Sequence, residues 1–336
     1  VVRSAALLGC QGASAVPAYM PPLSPRQDRR AWLMSHEAVI AHVRPRAIIA
    51  DPDVASLLSG GDTPVLTLDA VAEAAEGATL PPPAWDPDAV CLLQHSSGTT
   101  GLKKGVQLSY RAVMAQIAAY AQALELAGDE TVVSWLPVYH DMGLIACTVL
   151  PTVRGLPLVS LDPFEWLVQP TRVLEEAAAV DRALVWLPNF AFNHLARHAR
   201  RLDPAVQLGR IRALIDCSEP CRPESFDAIM AAYAEHGLVA GQLQTCFAMA
   251  ENVFAATQTK IGTVVRRTTT RGDAGVRTLL SCGRAIPGVE IEIRSADGRG
   301  VADGEIGEIH VGGASLFDGY YGQPDLTSQR LKAGWY

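Results

Sequence analysis

Five short apolar runs, at residues 132–135, 156–160, 183–186, 213–215 and 243–245, are separated by segments of helical periodicity. Strands this short and this apolar are buried on both faces, and the intervening helical stretches of about 10 to 15 residues supply the crossovers that parallel pairing needs. Pro188 and Pro223 stand where two of those helices begin, a position that proline favours. The expected fold class is therefore α/β, with two helix-covered, mostly parallel β-sheet subdomains. Past Ser281 the period changes to two: Val289, Ile291 and Ile293 alternate with Glu290, Glu292 and Arg294, and Gly298, Gly304, Gly307, Gly312 and Gly313 punctuate the residues after them. That pattern reads as a smaller antiparallel β subdomain. The expected organisation is a first α/β subdomain at 1–80, a second α/β region at 81–280 and the antiparallel part at 281–336.

Within the first region, residues 16–19 read as a short strand, 29–42 as a helix and 47–50 as a buried strand. Residues 80–83, Leu-Pro-Pro-Pro, form a stiff linker before a strand at 90–94. Ser109 is expected to cap a helix that places Val113, Met114, Ile117, Tyr120 and Leu124 on one apolar face. Further helices are expected near 144–153 and 171–180.

The chain has 336 residues, 49% of them hydrophobic and 19% charged, which is enough to bury a large interior. A net charge of −7 argues against a nucleic-acid surface, and the arginines at 197–201 and 266–267 read as solvated faces. No run of about 18 apolar residues is present, so no membrane span is expected. The alanine-rich start lacks the order of a signal peptide. Seven cysteines, an odd number scattered through apolar contexts, suit reduced thiols in the cytoplasm. Cys217 and Cys221 have a metal-like spacing without a second pair to complete a zinc site.

The densest chemical signal is Ser96-Ser97-Gly98-Thr99-Thr100-Gly101-Leu102-Lys103-Lys104-Gly105, directly after the strand at 90–94. Glycines let backbone N–H groups approach phosphate oxygens, hydroxyls add donors and lysines add countercharge. The order differs from the common P-loop, in which lysine follows the last glycine and opens a helix. An ordinary polar turn remains open on composition alone.

This run resembles the phosphate-binding signature of the adenylate-forming superfamily, which includes acyl-CoA synthetases, fatty acyl-AMP ligases, luciferases and peptide-synthetase adenylation domains. Lys103 stands where that family usually has proline, and Lys104 matches its lysine. Three later runs agree in order. Trp135-Leu136-Pro137-Val138-Tyr139-His140-Asp141-Met142-Gly143-Leu144 is similar to the histidine motif of fatty acyl-AMP ligases, and the likeness places His140 and Asp141 beside the carboxylate and the α-phosphate. Asp216-Cys217-Ser218-Glu219-Pro220 looks like a Gly-Ala-Glu-Pro segment, which implies Ser218, Glu219 and Pro220 against adenine. Cys246-Phe247-Ala248-Met249-Ala250-Glu251-Asn252 is similar to Tyr-Gly-x-Thr-Glu, with Phe247, Ala248, Met249 and Ala250 at the nucleotide and Glu251 as a Mg²⁺ ligand. Phe247 keeps the ring and loses a hydroxyl; Ala250 in place of threonine is a habit of fatty acyl-AMP ligases.

The resemblance implies ATP and Mg²⁺ as cofactors and activation of a carboxylic acid to acyl-AMP with release of pyrophosphate. His140, Lys104 and Glu251 are the expected catalytic groups; Ser96, Ser97, Gly98, Thr99, Thr100, Gly101 and Lys104 hold phosphate. The segment 186–195, which includes Trp186, Asn189 and Phe190, contains no acid to anchor an amino group, so an apolar, fatty acid is the favoured substrate. Glu251 and Gly283 lie 32 positions apart, and 260–275 is polar and arginine-rich, similar to an insertion of fatty acyl-AMP ligases that disfavours CoA. The expected acceptor is the phosphopantetheine thiol of an acyl or peptidyl carrier protein in polyketide or nonribosomal peptide biosynthesis. The alternatives are an acyl-CoA ligase and a catalytically inactive nucleotide- or carrier-binding homologue. The sequence stops at Gly334-Trp335-Tyr336, before the Arg-Thr-Gly-Asp and the mobile C-terminal domain of family members, so the expectation is a large-domain fragment.

Overall fold

A computed structural model of the chain describes residues 2–24, 27–75, 79, 86–95, 104–272 and 275–336. The expected linker at 80–83 lies outside the described residues. The chain divides into two compact units, Val1–Ser109 with Asp318–Gln329, and Tyr110–Phe317 with Arg330–Tyr336.

The first unit begins with helices Val2–Gly12 (α1) and Arg29–Val43 (α2), strand Ile48–Ile49 (β1), helix Pro52–Leu58 (α3), strand Val65–Leu66 (β2) and helix Leu68–Ala74 (α4). α2 starts where Asp28 Oδ1 accepts the Ala31 N–H at 2.7 Å, and it buries Trp32, His36 and Val39 along one stripe. β1 and β2 pair in parallel. The strand expected at 16–19 is reduced to a single bridge from Ala18 to Leu93. Val90–His95 (β3) and Gly105–Ser109 (β4) pair antiparallel, His95 opposite Gly105.

In the second unit Tyr110–Ala123 (α5) leads to Val132–Ser134 (β5), a π-helix at Met142–Val149, Leu150–Arg154 (α6), Leu158–Ser160 (β6), Pro163–Val168 (α7), Arg172–Ala178 (α8), Leu184–Leu187 (β7), Asn189–Arg197 (α9), Ala213–Asp216 (β8), Pro223–Tyr233 (α10), Leu243–Ala248 (β9) and Ala255–Gln258 (β10). Then come Arg267–Gly272 (β11), Gly275–Leu280 (β12), Arg284–Ala285 (β13), Val289–Arg294 (β14) and Glu308–Gly313 (β15). Finally Gly319–Tyr320 (β16) returns to the first unit, pairing antiparallel with β4, and Pro324–Arg330 (α11) comes after it.

The large sheet of the second unit runs β13-β10-β9-β8-β7-β5-β6, parallel from β9 through β6 and antiparallel at β10 and β13. Its core is built from the fully buried β7 and β8, with Trp166, Phe192, Leu195, Phe226 and Tyr233 from flanking helices. The expected antiparallel part past 281 is the β14–β15 hairpin, Val289 opposite Gly313.

Ser109 ends β4 and stands directly before α5, which starts at Tyr110. One local expectation is corrected. Met114 is 43% exposed, because the buried stripe of α5 runs along Val113, Ile117 and Tyr120 and takes in Gln116, leaving Met114 rotated towards solvent; Leu124, just past the helix, is buried as expected.

Candidate functional site at the carboxyl edge of the sheet

β5, β7, β8 and β9 are neighbours and parallel, so the segments leaving their carboxyl ends share one edge of the sheet, the position at which open α/β sheets bind ligands. After β5 comes Trp135–Asp141, after β7 Asn189 and Phe190, after β8 Cys217–Pro220, and Phe247–Glu251 closes β9 and continues past it.

At the first of these, His140 Nδ1 lies 2.6 Å from Asp141 Oδ1. Asp141 also accepts the Met142 N–H at 2.8 Å, at the mouth of the π-helix. Donation from Nδ1–H to Asp141 leaves Nε2 to face a ligand. Burial pushes the His140 pKa down, but the Asp141 hydrogen bond and charge, with the Glu219 charge, more than offset it and the net shift is upward. Gly143 is required here: a Cβ would collide with the Pro137 carbonyl.

At the second, Phe190 is 46% exposed and meets Trp135 and Trp166 edge-on, at 6.2 Å from each. Those two indoles stack at 3.7 Å. The neighbouring candidates point inward. Trp186 is fully buried and its Nε1 donates to Tyr120 Oη at 2.8 Å, which in turn donates to Gln258 Oε1 at 2.9 Å. Asn189 is also buried, with Nδ2 donating to Asp216 Oδ2 at 2.6 Å.

At the third, Ser218 has φ +68°, turning the loop outward so that Ser218, Glu219 and Pro220 are exposed. Glu219 Oε2 accepts the Phe190 N–H at 3.0 Å. Asp216 is fully buried, and burial pushes its carboxyl up to about 7 against the lowering effect of the hydrogen bond from Asn189. Cys217 is fully buried and accepts from Ser218 Oγ at 3.7 Å, while the Cys221 thiol donates to the Asp216 carbonyl at 3.6 Å.

At the fourth, Glu251 is 9% exposed in a short 3₁₀ turn, Ala250–Asn252, held by Phe317 N–H donating to its carbonyl at 2.8 Å. Val253 comes next at φ +60°, a costly conformation for a β-branched residue. It is held by buried Asn252, whose Nδ2 donates to the Ala255 carbonyl and whose Oδ1 accepts from Ser315 Oγ, each at 2.8 Å.

In the first unit, Lys104 precedes β4 with its Nζ over the Tyr320 ring at 5.3 Å. The candidates Ser96, Ser97, Gly98, Thr99, Thr100 and Gly101 lie outside the described residues. Among the described residues no group of three or more His, Cys, Asp or Glu could hold a metal ion by itself. Sequence reasoning missed the roles of Asn252, Ser315 and Asp216; the legible signal was an acid ending an otherwise apolar buried strand.

This order of elements and segments matches a known family. A family model described as AMP-binding enzyme fits residues 4–321, and the chain belongs to that family. Among its relatives is the long-chain-fatty-acid–AMP ligase FadD32 of Mycolicibacterium smegmatis, 27% identical over 78% of this chain and 45% of the relative. Another is the medium-chain-fatty-acid–[acyl-carrier-protein] ligase JamA of Moorena producens, 24% identical over 98% of this chain and 60% of the relative. A solved structure from work on fatty acyl-adenylate ligases of E. coli and L. pneumophila superposes with a TM-score of 0.89 at 26% identity, covering 98% of this chain and 63% of that one. The chain thus spans less than two thirds of the length of these relatives, and its fold is that of their large α/β domain.

Proposed function

We propose that this chain is the large nucleotide- and acyl-binding part of an enzyme that activates a fatty acid to acyl-AMP with release of pyrophosphate. The acyl group then passes to the phosphopantetheine thiol of an acyl carrier protein. The observation that carries the reading is the convergence of His140–Asp141, Phe190 and Glu219 on one edge of the parallel sheet, in a member of the AMP-binding family. The names of the fatty-acid relatives and the absence of an acid from 186–195 support an apolar substrate.

In this reading Asp141 fixes the His140 tautomer and His140 Nε2 orients the substrate carboxylate for in-line attack on the α-phosphorus. A raised pKa increases the share of imidazolium available to meet developing negative charge. Ser218, Glu219 and Pro220, with Phe247, Ala248, Met249 and Ala250, border the adenine, and Lys104 with the 96–101 loop supplies donors and countercharge to the phosphates. Glu251, an oxygen donor in the turn after β9, would hold Mg²⁺, and the ion would supply neutralisation of phosphate charge.

The β11–β12 hairpin fills the stretch singled out between Glu251 and Gly283, with Val276 and Leu279 63% and 50% exposed. Its presence favours carrier protein over CoA as acceptor. ATP–pyrophosphate exchange by the full-length protein across a panel of fatty, aromatic and amino acids tests the reading. Exchange with fatty acids is expected, and none with any acid would overturn it. Incubation with CoA beside holo-carrier protein then reads the acceptor directly, acyl-carrier being the expected product and acyl-CoA the contrary one.

A further inference from the structure

The first turn of α9 is tied to the end of β8 by a buried hydrogen bond, which continues to Ser225 of α10, and to the loop after β8 by an exposed one. In the interior, Asn189 Nδ2 donates to Asp216 Oδ2 at 2.6 Å, Ser225 Oγ donates to Asn189 Oδ1 at 2.9 Å, and Asn193 Nδ2 donates to Ser225 Oγ at 2.8 Å. At the surface, the Phe190 N–H donates to Glu219 Oε2 at 3.0 Å. Asn189, Asp216 and Ser225 are 5%, 0% and 1% exposed, so these three are sealed from water, while Asn193 at the end of the chain is partly exposed.

Asp216 Oδ1 is buried and has no partner among the described residues. A buried acid with one oxygen unmatched is a cost to folding, and such costs collect where a geometry is held for function. The two segments tied by the Asn189–Asp216 bond lead into different candidate subsites: Phe190 on the acyl side, and Ser218, Glu219 and Pro220 on the adenine side.

Resting on the acyl-adenylation reading, we propose that Asp216 is a positioning residue whose bond to Asn189 holds the α9 turn and the post-β8 loop in one register, so that the acyl and nucleotide subsites are set together. Asp216 is itself fully buried and touches neither substrate. Three kinetic signatures separate this role from others. A group contacting only adenine moves the KM for ATP alone, and one lining only the acyl side moves the KM for the acid alone. A purely structural role lowers the active fraction, and with it kcat, while leaving both KM values in place.

The test is ATP–pyrophosphate exchange by the full-length protein, titrated in both ATP and fatty acid. Asp216→Ala is expected to raise both KM values by about tenfold, the scale of one buried hydrogen bond with its partner left unmatched. Asn189→Asp, which sets two carboxylates face to face, is expected to do the same. The reciprocal swap Asn189→Asp with Asp216→Asn restores one amide and one carboxylate, with Ser225 still able to donate to position 189. It is expected to return both KM values to within about twofold of wild type. An unmoved KM for either substrate in Asp216→Ala overturns the proposal. So does a swap that recovers the wild-type melting temperature but not the two KM values, and this swap decides the matter if the single variants do not fold. A wild type without exchange defeats the adenylation reading itself, whereas an active wild type with unmoved variants defeats the positioning role alone.

Discussion

His140 and Asp141 are adjacent in sequence and lie 2.6 Å apart where the turn after β5 enters the π-helix. Because the His140 pKa is raised in the fold, the pair contributes stability in full below the ordinary histidine value of about 6.5 and loses it as pH rises through the folded value. Cys282 is another residue whose chemistry the fold alters. A hydrogen bond from Cys221 brings its thiol down to about 7, against the opposing effect of burial. Alkylation of Cys282 by iodoacetamide, read by peptide mass spectrometry, should therefore reach half its maximal rate near pH 7. Cys221→Ala should move that midpoint towards the ordinary thiol value of about 8.5; an unmoved midpoint would remove Cys221 as the cause. None of this was legible in the sequence, where 61 positions separate the two cysteines and each reads as a core residue.

At the scale of elements, α7 begins on a signal that is present in the sequence but absent from the expected elements. Asp162 before Pro163 is a capping residue next to a proline at the first helical position, and Asp162 Oδ1 accepts the Phe164 and Glu165 N–H groups at 2.7 and 3.2 Å. The helix delivers Trp166, 1% exposed, flat against Trp135. Trp166→Ala should destabilise the protein by about 3–5 kcal/mol in denaturant titration, the usual cost of emptying a large aromatic site; a change below about 1 kcal/mol would mean that the stack contributes little. Parallel strands and most helices are readable because their signals are local: apolar runs, capping residues and prolines. The pairing of β16 with β4 is not, since its partners, Gly319 with Gln107 and Tyr320 with Val106, lie far apart along the chain. The π-helix at Met142–Val149 reads in sequence as an ordinary helix from 144, because a widened turn has no residue pattern of its own to announce it.

Across the whole molecule, the candidate site is legible as an ordered set of motifs, each behind a strand-like run, and the parallel order β9-β8-β7-β5 explains why such scattered motifs share an edge. The sequence does not contain the division of labour within each motif. Trp186, Asn189 and Asp216 face the interior, while the Phe190 N–H and Glu219 meet at the surface. Among the described residues no helix is long and apolar enough to cross a membrane. The central claim, that this edge activates a carboxylate with ATP, is tested most directly by fatty-acid-dependent ATP–pyrophosphate exchange in the full-length protein, wild type beside Glu251→Gln. The expected result is exchange in the wild type and a loss of about a hundredfold or more in the variant, the scale of removing one charge-stabilising group. Exchange by Glu251→Gln at the wild-type rate would contradict the assignment of this edge as the reacting site.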